Sequence, residues 1–229
     1  MNEPNIALEE HSFFLVSDAH ATPDTLARLV DLLGNRVAYR TFLGDAVGYG
    51  TAPKPTIEIV DGFDVAVHGN HDTLALGINK NPFSVDASTS ALRHRDEIGE
   101  EGLVKLAKYV PNYRRGNMVL FHGTPRNENA YLMNSAHIRD MLSYHPDIDL
   151  FFGGHLHIPR VAVIDRRTGE IDFEDISVPL SRHDLDLSKK RYVVNVPSTM
   201  AGRSTIKNPG ACTLYHQSET EKTLFFQFL

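Results

Sequence analysis

The sequence predicts an α/β fold, and three observations predict it. Short apolar runs alternate with helical patterns through the first half of the chain. Five apolar runs end in a polar motif of Asp, Asn or His, and four of these motifs contain a glycine. After His157 the pattern turns to short strands separated by turns. Strand–helix–strand order argues for parallel pairing with helices on the sheet. In such a sheet the carboxyl ends of the strands gather along one edge, where ligands bind.

The elements follow in order. Residues 13–16 (FFLV) read as a buried strand. Thr22 as N-cap and Pro23 in the first turn open a helix, Leu26, Leu29, Val30 and Leu33 give it one apolar face, and Gly34 stops it. Residues 39–43 form a second strand, 55–60 a short helix and 65–67 a third strand. Residues 73–117 read as a helical insertion near the active site. It has a polar stretch Asn79-Lys80-Asn81-Pro82, a helix near 88–95 and a clearer one at 102–110 that Pro111 ends. Strands at 118–121 and 150–152 flank a helix at 135–142. Beyond His157, strands at 161–164, 171–173, 192–196, 211–215 and 223–228 read as a mostly antiparallel second sheet, with 177–190 as a loop.

Composition narrows the function. A chain of 229 residues fits one domain. Cys212 is the single cysteine, so no intrachain disulfide forms and a reducing compartment is expected. Net charge is −6, leaving no broad basic field for long nucleic acid. No apolar run approaches the ~18 residues that a membrane helix needs. The segment from Met1 to His11 is acidic and lacks an apolar stretch, so no secretory leader is expected and the expected address is cytoplasmic. The 12 histidines, without cysteine clusters, prompt a search for metal ligands.

The five motifs answer that search. They are Asp18-Ala19-His20, Gly44-Asp45, Gly69-Asn70-His71-Asp72, His122-Gly123 and Gly154-His155-Leu156-His157. Together Asp18, His20, Asp45, Asn70, His122, His155 and His157 offer carboxylate, amide and imidazole donors and no thiolate. That mixture suits Mn²⁺, Fe or Zn²⁺ rather than an all-oxygen Ca²⁺ cage. Seven donors exceed what one ion needs, and a carboxylate can bridge two ions. Taken singly each motif has a plain structural reading: a turn, a helix cap or a core histidine. All five in this order, each at a strand end, point to a metal site.

These motifs resemble those of the calcineurin-like metallophosphoesterases, over residues 18–157. Val47-Gly48-Tyr49-Gly50, Thr124-Pro125-Arg126 and Ile158-Pro159 further resemble the small prokaryotic phosphodiesterase branch. The resemblance implies an αββα sandwich of two mixed β-sheets flanked by helices, with a dinuclear metal centre at the strand ends. It implies that Asp18, His20, Asp45 and His157 hold one ion and that Asp45, Asn70, His122 and His155 hold the other. Mn²⁺ is the favoured ion, with Fe, Zn²⁺ or Ni²⁺ as alternatives. His71 would stabilise the phosphoryl oxygens or protonate the leaving group, Asp72 would orient it, and a metal-bridging hydroxide would be the nucleophile.

Two departures bear on substrate. An Asn-Pro-Gly-Ser motif expected near the C-terminus is matched by Asn195-Val196-Pro197-Ser198, without the glycine, or in part by Asn208-Pro209-Gly210. No role is assigned there. The phosphoprotein phosphatases of the superfamily carry an arginine after Gly-Asp and another before Gly-Asn-His. Here Val47, Gly48 and His68 stand in those places. A small phosphodiester, with nucleotide-derived ones among the candidates, is therefore favoured over a phosphomonoester, and a non-enzymatic scaffold is the third reading. Arg126, Arg93 and Arg95 are candidate substrate contacts, with a solvated charged surface as the alternative.

Overall fold

The computed structural model describes residues 11–79, 83–177, 181–200 and 210–229. The expectations on Met1 to Glu10, on Lys80 to Pro82 and on Asn208-Pro209 lie outside the described residues.

The first half contributes β1 (Ser12–Val16), α1 (Pro23–Leu32), β2 (Tyr39–Phe42), α2 (Pro53–Asp61) and β3 (Val65–Ala66). Next come α3 (Asn70–Ala75), α4 (Val85–Leu106), β4 (Tyr113–Arg115), β5 (Met118–Leu120), α5 (Ser135–Ser143) and β6 (Leu150–Gly153). The remainder is β7 (Arg160–Asp165), β8 (Ile171–Asp175), β9 (Ser181–Asp184), β10 (Lys190–Asn195), β11 (Ala211–Gln217) and β12 (Lys222–Phe228).

These strands form two mixed six-stranded sheets, in the orders β3-β2-β1-β11-β12-β9 and β4-β5-β6-β10-β7-β8. In the first, β1, β2 and β3 run parallel. In the second, β5, β6 and β10 do. The sheets stack with helices outside. Phe13 and Leu15 face Leu120, Leu150, Phe152 and Tyr215 in the layer between the sheets. Phe14 and Val16 alternate onto the opposite face and pack with Leu26, Leu29, Ile57 and Ile98. Val119, Phe121 and Phe151 meet Ile138, Met141 and Leu142 of α5 on the far side. A strand buried on both faces must be apolar at every position, which is why β1 shows no alternation.

Three expectations change. The strands after β6 do not make a sheet of their own. β7, β8 and β10 extend the second sheet, while β9, β11 and β12 extend the first, so hydrogen-bonding partners rather than sequence order sort them. The 177–190 loop contains β9, a polar strand (SRHD) that pairs with the free edge of β12 and has no apolar pattern to announce it. Residues 73–117 are not wholly an insertion, because β4 is an edge strand of the second sheet. The two expected helices there form α4, bent at Gly99 (φ 65°), and Val110 leaves the helix to bridge Val67. Asn70 and His71 stand at the start of α3. Gly69 is followed by helix, and Asp72 accepts the Gly69 amide at 2.9 Å as its first-turn cap.

Candidate metal centre

All five motifs reach one place because the parallel strands of both sheets end on the same side. Asp18 follows β1, Asp45 follows β2, Asn70 opens α3 after β3, His122 follows β5, and His155 and His157 follow β6. Backbone hydrogen bonds stitch the strand ends together: Asp18 N to Gly44 O (2.9 Å), His20 N to Asp45 O (2.9 Å) and Gly154 N to His122 O (2.9 Å). Across the sandwich, the His155 amide donates to Asp18 Oδ2 at 3.0 Å.

The loops are strained where they carry the site. Asp18, His20, Asp45, His155 and His157 all have φ between 47° and 69°. The left-handed region costs about 1–3 kcal/mol for a side chain other than glycine. Asp, Asn and His tolerate it better than most. Gly69 is required for a different reason: a Cβ there would strike the Asp45 carboxylate.

The side chains form three overlapping groups whose ligating atoms lie within 4.8 Å of one another: Asp18, His20 and His157; His20, Asp45 and His71; Asp45, His122 and His155. His157 Nε2 lies 3.0 Å from Asp18 Oδ1. His122 Nε2 lies 3.3 Å from Asp45 Oδ2 and 3.2 Å from Asn70 Oδ1. His20 Nε2 lies 3.1 Å from His157 Nε2 and 3.7 Å from Asp45 Oδ2. His71 Nε2 lies 3.9 Å from Asp45 Oδ2. Asp18, Asp45, His20 and His122 are buried, with at most 1% exposure, so they meet little water that could solvate charge.

The imidazoles are oriented from behind. His20 Nδ1 donates to Val47 O at 3.1 Å, and His122 Nδ1 donates to Leu43 O at 2.7 Å. In each case Nε2 is turned to the carboxylates, the arrangement by which proteins present imidazole to a metal. Among the described residues, the buried His155 Nε2 has no hydrogen-bond partner. These features fit a divalent cation site.

The electrostatics point the same way. Burial opposes charge on Asp18 and Asp45, yet the surrounding imidazoles outweigh it and hold both carboxyls below the usual carboxylate range. Burial lowers His20 to about 3 and His155 to about 4, keeping both neutral. Burial also opposes a proton on His122, but Asp45 and Asp18 prevail and raise it to about 10. That proton answers a need for positive charge that a bound cation would meet instead.

The Asp72 carboxylate is held by four backbone amides. Its Oδ2 accepts from Asp45 N (2.8 Å) and Gly69 N (2.9 Å), and its Oδ1 from Ala46 N (3.0 Å) and Val47 N (3.2 Å). Both oxygens brace backbone, locking the Gly44-Asp45 loop to the start of α3. Burial first, and then Asp45, raise its pKa to about 7. The His71 ring packs against Tyr49 and Phe83, each at 4.8 Å between centroids, and His20 at 4.9 Å.

The arginines divide. Arg93 donates to Gly50 O at 3.0 Å and Arg95 to Ala75 O at 2.7 Å, so both tie α4 to the chain beneath it. The Arg126 guanidinium lies 4.0 Å over the Tyr144 ring. It lines a cleft of about 700 Å³ with Thr124, Tyr131 and His137.

Sequence reading missed two residues with clear positions. Ser198 Oγ donates to Asp18 O at 2.7 Å and holds the Asp18 turn. The Asn195-Val196-Pro197-Ser198 match was the available signal. Tyr131 stacks on His155 at 3.9 Å. Nothing in the surrounding sequence singles it out.

The profile of the family described as calcineurin-like phosphoesterase matches residues 11–159. The chain is 26% identical over 206 residues to the uncharacterized protein MJ0912 of Methanocaldococcus jannaschii, covering 86% of this chain and 80% of that one. Its fold is similar to a metallophosphoesterase from Sphaerobacter thermophilus (TM-score 0.76, 25% identity, 96% of this chain and 88% of that one). It also shares its fold with the hypothetical protein PH1004 of Pyrococcus horikoshii OT3 (TM-score 0.55, 12% identity, 80% of this chain and 87% of that one).

Proposed function

The chain belongs to the calcineurin-like phosphoesterases, and from that premise we propose that it hydrolyses small phosphodiesters, nucleotide-derived ones among them, with two divalent ions, Mn²⁺ favoured. The observation that carries this reading is the meeting of Asp and His side chains from both sheets within 4.8 Å, in three groups that share His20 and Asp45. Asp18, His20, Asp45 and His157 would hold one ion, and Asp45, Asn70, His122 and His155 the other. Ions held there would supply positive charge against the phosphoryl oxygens and would lower the pKa of a water nucleophile.

The chain's own residues supply the rest. Asp72 and Ser198 hold the Asp45 and Asp18 turns in their strained conformations. His71, pressed by Tyr49 and Phe83, donates a proton to the leaving oxygen or stabilises the phosphoryl charge. Arg126 is the substrate contact of choice among the three arginines, since Arg93 and Arg95 are engaged with backbone carbonyls. Diesters are favoured over monoesters because Val47, Gly48 and His68 stand where phosphate-gripping arginines would. Among the described residues no helix is long and apolar enough to cross a membrane. The single buried cysteine accords with a cytoplasmic address.

The test is a panel of phosphodiesters and phosphomonoesters, assayed on chelated and then Mn²⁺-reconstituted protein. Activity restored by Mn²⁺ and greater on diesters supports the proposal. Greater activity on monoesters would make it a phosphatase. Inactivity on every ester would favour the scaffold.

A further inference from the structure

Helix α4 reaches under the site at two positions one turn apart, Ser90 and His94. Ser90 Oγ accepts the Tyr49 amide at 2.9 Å while donating to Ala87 O at 2.8 Å. His94 is fully buried. Its Nδ1 accepts the Gly48 amide at 3.0 Å, and its Nε2 lies 3.1 Å from Gly50 O. An amide can only donate, so the Gly48 N–H fixes Nδ1 as the acceptor and His94 as the neutral Nε2–H tautomer, with Arg93 Nη2 also 3.0 Å from Nε2. Gly50 O also accepts from Arg93 Nη2 at 3.0 Å. Thus α4 grips three consecutive residues, Gly48, Tyr49 and Gly50, through their backbone.

That tripeptide touches two imidazoles of the site. Val47 O, immediately before it, accepts from His20 Nδ1 at 3.1 Å. The Tyr49 ring stands edge-on to His20 at 4.8 Å and lies 4.8 Å from His71. Gly48 has φ 91°, and a Cβ there would collide with the His71 ring. Tyr49 is itself in the left-handed region at φ 55°, so the turn needs an external hold.

We propose that Ser90 and His94 form a two-point clamp on Gly48–Gly50 that positions the His20 and His71 imidazoles. Both are positioning residues. Neither is among the proposed ligands, and the roles of His20 and His71 in catalysis rest on the hydrolase reading above.

The test uses the full chain with His94→Leu, His94→Asn, His94→Gln and Ser90→Ala. Asn keeps an acceptor for the Gly48 amide and Gln a donor for Gly50 O. Long-range ¹⁵N–¹H imidazole spectra of metal-free and Zn²⁺-loaded protein should show His20 as the Nδ1–H tautomer and His94 as the Nε2–H tautomer. The clamp variants should shift the His20 and His71 signals. With Mn²⁺ and the best diester, His94→Leu should lower kcat on the order of 10²-fold, the cost of a displacement near 1 Å, with metal content unchanged. Asn and Gln should fall between wild type and Leu. Should His94→Leu not fold, Ser90→Ala and His94→Asn carry the same readouts. Unchanged His20 and His71 signals in the clamp variants overturn the proposal, as does unchanged kcat. Wild-type inactivity on every ester would fail the hydrolase reading instead, leaving the spectra to judge the clamp.

Discussion

The His155 amide donates to Asp18 Oδ2 at 3.0 Å, joining residues 137 positions apart in the chain. Asp18 ends a strand of the first sheet and His155 follows a strand of the second, so this contact closes the site across the sandwich. It is one of a set in which backbone groups, and not only side chains, hold the candidate ligands. The predictions follow from that division of labour.

Metal content should be about two ions per chain after Mn²⁺ loading, the number that seven donors and a shared Asp45 support. Asp45→Asn should lose more metal than His157→Ala, because Asp45 sits in two of the three ligand groups and carries the charge. Elemental analysis of dialysed variants checks this. Equal retention in both would remove Asp45 from the bridging position.

His71→Ala should lower kcat by ~10²–10⁴-fold, the usual contribution of a general acid or base, with both ions retained. The loss should be smaller for a nitrophenyl ester, whose leaving group needs little proton donation, than for an alkoxide. Loss of metal instead would make His71 a ligand, which its distance of 3.9 Å from Asp45 Oδ2 permits.

Gly48→Ala should be far worse than Gly169→Ala. Both glycines have positive φ, 91° and 72°, so each substitution bears a left-handed strain of about 1–2 kcal/mol. Only at Gly48 does the new Cβ meet the His71 ring, whereas at Gly169 nothing among the described residues lies within 4 Å. Denaturant midpoints should fall in both variants and kcat only in Gly48→Ala. A Gly48→Ala enzyme with wild-type kcat would contradict the packing described.

His94 also predicts a pH dependence. Burial, and then the Arg93 guanidinium, lower its pKa from the ordinary histidine value. The unfolded chain therefore binds the proton more readily than the folded one. Stability from this group is present above the unfolded pKa, about 6.5, and is lost as pH falls below it toward the folded value. Unfolding free energy measured from pH 7.5 downward should decline less in His94→Gln than in wild type. A parallel decline would place the acid sensitivity elsewhere.

Arg126→Ala should raise KM with little change in metal content or stability, since the cation rests on an exposed Tyr144. Arg95→Ala should instead show as lost stability, because it removes the donor to Ala75 O. Titration with substrate and thermal melts separate the two effects. A raised KM for Arg95→Ala alone would exchange their roles.

Much of this was legible in the residues themselves. The runs at β1, β5 and β6 are apolar at every position because both faces of each strand are buried, and that local demand can be read without the fold. The Asp, Asn and His residues stand at strand ends, and Asp45, Asn70, His122 and His155 each have a glycine next to them where the backbone comes close. What could not be read was whatever depends on a partner remote in sequence. Polar β9 is a strand only because β12 offers it an open edge, and the late strands sort between two sheets by hydrogen bonding. Asn70 and His71 are helical because Asp72 caps Gly69, and Asp72 itself is occupied by amides of the distant Asp45 loop. His94, placed in sequence among charged residues, became a clamp only when α4 packed beneath Gly48–Gly50. Residue chemistry and strand-end position are properties of the local chain, so the sequence determined which side chains could ligate. Which atom each presents is set by hydrogen bonds between segments up to 180 residues apart, such as Ser198 to Asp18, and only the tertiary structure decides those.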